Sequence, residues 1–227
     1  MNKSLNLANA AYTDRYRLEC EGQLFIFGNQ NLVDTLVTDL PYGYRLEENL
    51  YVVKTEDNTT YSGREVSVFH NRADNALCTW KCYDDNAIFY DIIKHSDGNE
   101  YLLFRQELYG YSVYCLTTDV FFQYYPQSAL DGEECFIWAG VEEYRPEENW
   151  LLVTGCYWAC PWSIAIIDFE NPLSIPRFQL DIRSHLAGDY FDFDDIYIDH
   201  WEDDVLHLKC LYEEKVLMNQ VKPKEWM

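Results

Sequence analysis

Apolar and polar residues alternate in short runs along most of the chain, and turn-forming residues separate the runs. On an extended backbone successive side chains point to opposite faces, so such runs predict half-buried β-strands. Strands are expected over 23–28, 50–54, 65–70, 76–82, 87–93, 101–105 and 111–117. Further strands are expected over 135–141, 151–154, 163–169, 195–200, 205–212 and 215–221. Asn58-Thr59-Thr60, Ser96-Asp97-Gly98-Asn99, Asp131-Gly132 and Glu147-Glu148-Asn149 punctuate them as turns. Helical spacing is confined to 5–11 and 179–186. The pattern predicts an all-β (mainly β) fold, an antiparallel meander of propeller-like or β-sandwich architecture with few short helices. No linker rich in Gly, Ser or Pro divides the chain, so 1–227 reads as a single β domain.

A faint repeat overlies this pattern. Apolar strands begin near Leu50, Tyr101, Trp150 and Asp204, at intervals of roughly 50 residues, the length of one propeller blade. Each is followed after a turn by a second apolar run, at Val66, Ser112, Ile164 and Val216. Four or five such units would fill the chain. A second self-similarity, C-x-W-x-C-x4-A-I at Cys78 and again at Cys156, follows a different register. The two registers cannot both be structural.

Composition sharpens the strand reading. Aromatic residues make up 17% of the chain, with 19 Tyr, 12 Phe and 7 Trp, which favours strands and argues against disorder. The formal charge is −22. A surplus of that size repels nucleic-acid phosphates and anionic membrane surfaces and attracts basic partners. Residues 1–18 show no apolar export segment, and no run approaches the length that spans a bilayer. A cytoplasmic location is therefore expected, with the eight cysteines as free thiols.

Two segments carry candidate chemistry. The first is Gly155-Cys156-Tyr157-Trp158-Ala159-Cys160-Pro161, which runs on to Asp168-Phe169 and Pro172. If extended, it sets Cys156, Trp158 and Cys160 on one face. A matching face at Cys78, Trp80 and Cys82 could complete a four-thiol zinc site. However, a flat strand holds thiols four residues apart at about 13 Å, too far for one tetrahedral ion. C-x3-C also lacks the spacing of a thioredoxin-type redox pair. No metal or cofactor is assigned, and Cys156, Trp158, Cys160 and Asp168 stand as a motif of unknown role. The run G-C-Y-W-A-C-P followed by D-F-x-x-P, over 155–172, resembles a signature of uncharacterised bacterial proteins with propeller-like repeats. That resemblance implies a fold and no activity.

The second segment is acidic and runs from Asp189 to Asp204. In an extended backbone Asp192 and Asp194 would face outward and Phe191 and Phe193 inward. Asp195, Asp199, Glu202, Asp203 and Asp204 continue the charge. The calcium-loop pattern is missing, with no Gly at its sixth position and no Glu at its twelfth. A solvated face and a docking surface for a basic partner are both compatible with such a cluster. No phosphate-binding, nucleophile-elbow or zinc-protease motif occurs. The expectation is a non-enzymatic, acidic, protein-binding domain, immunity-like or inhibitor-like, that engages a basic protein through Asp192, Asp194, Asp195, Asp199, Glu202, Asp203 and Asp204. The alternative is a small β enzyme or ligand-binding domain for a carbohydrate-like molecule, using paired carboxylates and aromatic platforms.

Overall fold

The chain is all-β, and its described residues form four sheets that follow one another along the sequence. A computed structural model describes residues 31–226 apart from 55, 84–88, 107 and 190, together with Lys3–Ser4 and Gly28. The expected helix over 5–11 lies outside the described residues, as does all of the expected strand over 23–28 except Gly28. Two compact units are present, Met1–Glu133 and Glu134–Met227.

In the first unit, β1 (Lys3–Ser4), β2 (Leu32–Leu40), β3 (Tyr44–Lys54), β4 (Thr60–His70) and β5 (Cys78–Tyr83) form a sheet in the order β1-β5-β4-β3-β2. Only the β1–β5 pair is parallel. The second sheet is a meander of β6 (Tyr90–Lys94), β7 (Glu100–Phe104), β8 (Tyr111–Cys115) and β9 (Val120–Tyr124). Alternation explains how the two sheets share a core. Leu46, Val66, Val68, Cys78 and Trp80 from the first sheet meet Ile92, Leu102, Phe104 and Tyr114 from the second. Trp80 and Phe104 lie 4.2 Å apart by ring centroid.

The second unit repeats the plan. β10 (Ile137–Arg145), β11 (Trp150–Cys156), β12 (Ser163–Asp168) and β13 (Gln179–Asp181) form a four-stranded meander. β14 (Asp195–Glu202), β15 (Val205–Tyr212) and β16 (Lys215–Val221) form a three-stranded one. Trp150, Leu152, Ile164 and Ile166 pack with Ile196, Leu206, Leu208 and Cys210. Pairwise packing of this kind belongs to the sandwich and to neighbouring propeller blades alike. β8 and β12 are buried on both faces, and β7 and β11 nearly so, which accounts for their near-continuous apolar sequences.

The strands that recur at intervals of about 50 residues occupy the same places in the four sheets. β3, β7, β11 and β15 stand second in chain order within their meanders, and β4, β8, β12 and β16 stand third. The two C-x-W-x-C segments, by contrast, occupy unlike places. Cys78–Cys82 lies within β5, whereas Cys156 ends β11 and the rest of its motif forms a turn.

Segment 179–186 is not a helix. Its first three residues pair with β12, with Ala165 opposite Asp181 and Ile167 opposite Gln179, and Ile182–His185 then makes a single 3-10 turn. Apolar β12 needs a partner along that edge, and this pairing overrides the local helical spacing. Among the described residues, no helix is long and apolar enough to cross a membrane.

Candidate functional site

Both distinctive segments of the sequence lie in the second unit, and one buried side chain ties them together. Asp181 ends β13 and caps the 3-10 turn by accepting from the Arg183 backbone N–H at 3.1 Å. Its carboxylate also accepts from the Ser163 hydroxyl. Arg183, 2% exposed, is thereby aimed between two loops. Its Nη1 donates to the Phe193 carbonyl at 2.6 Å, and its Nη2 donates to the Trp162 carbonyl. The guanidinium fork is rigid and planar, so it fixes the spacing of both carbonyls at once.

The Trp162 loop is the Gly155–Pro161 motif. Gly155 is required where β11 passes β10, because a Cβ there would lie 2.0 Å from the Ile137 carbonyl oxygen. Beyond Cys156 the chain turns sharply. The Cys160 N–H donates to the Tyr157 carbonyl at 3.0 Å, and Ala159 takes φ 58°. The segment is therefore not extended, and Cys156, Trp158 and Cys160 do not form a strand face. The turn lifts the Trp158 side chain into solvent at 63% exposure, and Trp162 is 48% exposed. Tyr157 instead packs edge-on against Phe136 at 5.6 Å. Burial, reinforced by the Asp181 carboxylate, raises its phenol pKa.

The Phe193 loop opens the acidic segment. Gly188 takes φ 112°, a backbone conformation that strains any other residue, and a Cβ there would displace the Asp192 carboxylate, whose Oδ2 would lie 2.3 Å away. That oxygen accepts from the Asp189 N–H at 2.7 Å, and Asp189 Oδ1 in turn accepts from the Phe191 N–H at 3.2 Å. This turn replaces the expected alternation. Phe193 enters the core, whereas Phe191 points outward at 64% exposure. Asp192 and Asp194 are exposed as expected.

The seven acidic positions separate along β14. Asp192 and Asp194 lie at its start beside the Arg183 clamp, while Glu202, Asp203 and Asp204 form the hairpin tip at its end. Seven strand steps divide Asp195 from Glu202, about 23 Å. Between them Asp199 sits at an irregularity in the β14–β15 register and is locally neutralised. Lys209 Nζ lies 2.5 Å from its Oδ1, and His200 Nδ1 lies 2.9 Å from its Oδ2. These two partners lower the Asp199 pKa. Asp195 accepts from the Tyr197 hydroxyl at 3.2 Å. Asp194, Asp203 and Asp204 are exposed and have no cationic partner among the described residues. The charge therefore survives in two patches, and the first flanks Phe193, whose carbonyl shares the Arg183 guanidinium with that of Trp162.

The remaining motif residues are structural. Asp168 accepts a two-pronged hydrogen bond from Arg177, from Nε at 2.9 Å and Nη2 at 3.0 Å, and a third from the Arg177 backbone at 3.0 Å. It thus pins the 169–178 loop, and Arg177 holds its carboxyl below the usual carboxylate range. Cys78 and Cys82 flank Trp80 in the first unit's core, and burial pushes the Cys78 thiol up. Among the described residues, no three His, Cys, Asp or Glu side chains gather as a metal site.

No protein-family model matches the chain, and comparison with curated proteins gives no match.

Proposed function

We propose that the chain is a non-enzymatic binding domain for a basic protein segment. Its binding face is made by the 157–162 and 189–194 loops. The observation that carries this reading is the Arg183 clamp, which ties the backbone at Trp162, the end of the loop that exposes Trp158 and Trp162, to the backbone at Phe193 in the acidic segment. Lys and Arg side chains are recognised by that combination. Aromatic faces attract the cation, and carboxylates steer and pair it. The net charge of −22 adds long-range attraction for the same class of partner. Asp199, already paired with Lys209, belongs to the support rather than to the contact.

The carbohydrate reading draws on the same exposed Trp158 and Trp162, since indole faces also stack on sugars, but it gives no role to the surrounding charge. Native pull-downs at low and raised salt, with captured proteins identified by mass spectrometry, separate the two. A set of basic proteins held by the wild type and lost by W158A/W162A is expected. Capture of the same set by that variant overturns the proposal.

A further inference from the structure

β2 and β16 stand apart because each leaves apolar side chains exposed on both faces over most of its length, with only Leu40 and Val221 at their ends packed against a core. Leu32, Val33, Leu36 and Val37 are exposed on β2, and Val216, Leu217 and Met218 on β16. Among the described residues, both strands are sheet edges. β2 lies beyond β3, and β16 ends the three-stranded sheet where the other three sheets each carry at least a fourth strand. Such edges are normally blunted by proline, a bulge or a central charge. β16 has none of these, and its register with β15 runs unbroken from Val221 opposite Leu206 to Lys215 opposite Tyr212. The single irregularity of β2 lies at its start, between Leu32 and Asp34.

The charges on the two strands are opposite. β2 carries Asp34 and Asp39 and no cation, while β16 begins with Lys215, is followed by Lys222, and contains no carboxylate. An antiparallel register that sets Asp39 against Lys215 also sets Val37 against Leu217 and Leu36 against Met218. Thr35 then faces Asn219, and Asp34 lies diagonal to Lys222. Directly opposed and diagonal pairs are the neighbours that stabilise a sheet.

We propose that β16 of one molecule takes β2 of a second copy as the fourth strand of its sheet. Backbone hydrogen bonds would supply the affinity, and the two charge pairs would set the register. The contact is head-to-tail, because the two surfaces differ.

Sedimentation velocity of the full chain, from micromolar to millimolar concentration, tests this. The wild type is expected to gain mass with concentration. D39K and K215D should each weaken association about tenfold, because each replaces an opposite-charge pair by a like-charge pair across the strands. The double variant D39K/K215D should regain it, and a mixture of the two single variants should form mixed pairs. Circular dichroism establishes that each variant is folded. A wild type that stays monomeric throughout overturns the proposal. So does association indifferent to both single reversals, or a double reversal that fails to restore it.

Discussion

Replacing Arg183 with alanine should loosen the second unit more than any surface change. The wild-type guanidinium makes two charge-assisted hydrogen bonds to carbonyls, at Phe193 and Trp162. Bonds to charged groups contribute about 1.5–3 kcal/mol each, and a buried acceptor left unpaired keeps its full desolvation cost. Part of this is offset because the variant no longer buries a charge. A net loss of about 3–5 kcal/mol follows. R183K keeps the charge, but a single ammonium cannot reproduce the two-pronged spacing. It should lose about half as much, since one of the two bonds can be kept. Urea denaturation followed by circular dichroism measures the change, with an unaltered slope showing that the folded state is otherwise intact. Chymotrypsin supplies a local readout, since cleavage at Trp162 and Phe191 should accelerate in R183A well below the unfolding midpoint. A loss under about 1 kcal/mol, the size of one ordinary hydrogen bond, with cleavage unchanged, would refute the clamp.

Gly155→Ala should cost several kcal/mol, because its Cβ would sit 2.0 Å from the Ile137 carbonyl oxygen, and thermal denaturation should show the loss. The β15–β16 hairpin turns through Glu213 at φ 45° and Glu214 at φ 65°, a left-handed pair that Asn-Gly adopts more readily. E213N/E214G should therefore raise stability by about 1–2 kcal/mol in the same assay. Acid should weaken the fold in a defined window. Burial alone raises the Asp97 carboxyl, but hydrogen bonds from Asn99, Tyr101 and His95 overcome it and hold the value at about 2; Arg177 likewise lowers Asp168. Folded pKa values below the unfolded ones give stability that is present above about pH 4 and lost as pH falls through the folded values. Urea midpoints measured between neutral pH and pH 2 should fall in that lower range, and less steeply in D97N and D168N.

Much of the fold was legible in the alternation. β7, β8, β12 and β15 fall within a few residues of expectation, because each has one or two buried faces that impose a pattern, and β16 spans the expected 215–221 although most of its residues are exposed. β2 was not legible. Its apolar residues at 32, 33, 36, 37 and 40 follow a helical rhythm, and with neither face covered no period of two was required of it. The site was legible only in its ingredients. Exposure of Trp158 depends on the left-handed turn at Ala159, and exposure of Phe191 depends on the Asp189–Asp192 turn. Arg183 gave no local signal, since its partners lie 10 and 21 residues away. Charge that is continuous in sequence became two patches because β14 is a strand, and a strand carries its ends apart.

The most direct test is calorimetric titration with an unstructured peptide rich in Lys and Arg. The wild type, W158A/W162A and D203N/D204N would be compared at physiological salt. Binding to W158A/W162A should weaken about tenfold, from two cation–π contacts at about 0.5–1 kcal/mol each. The hairpin-tip variant D203N/D204N should bind within about twofold of the wild type, because exposed charges about 20 Å away are screened. Equal affinity in the tryptophan variant, or a larger loss in the hairpin-tip variant, would contradict a basic-partner face built on the Arg183 clamp.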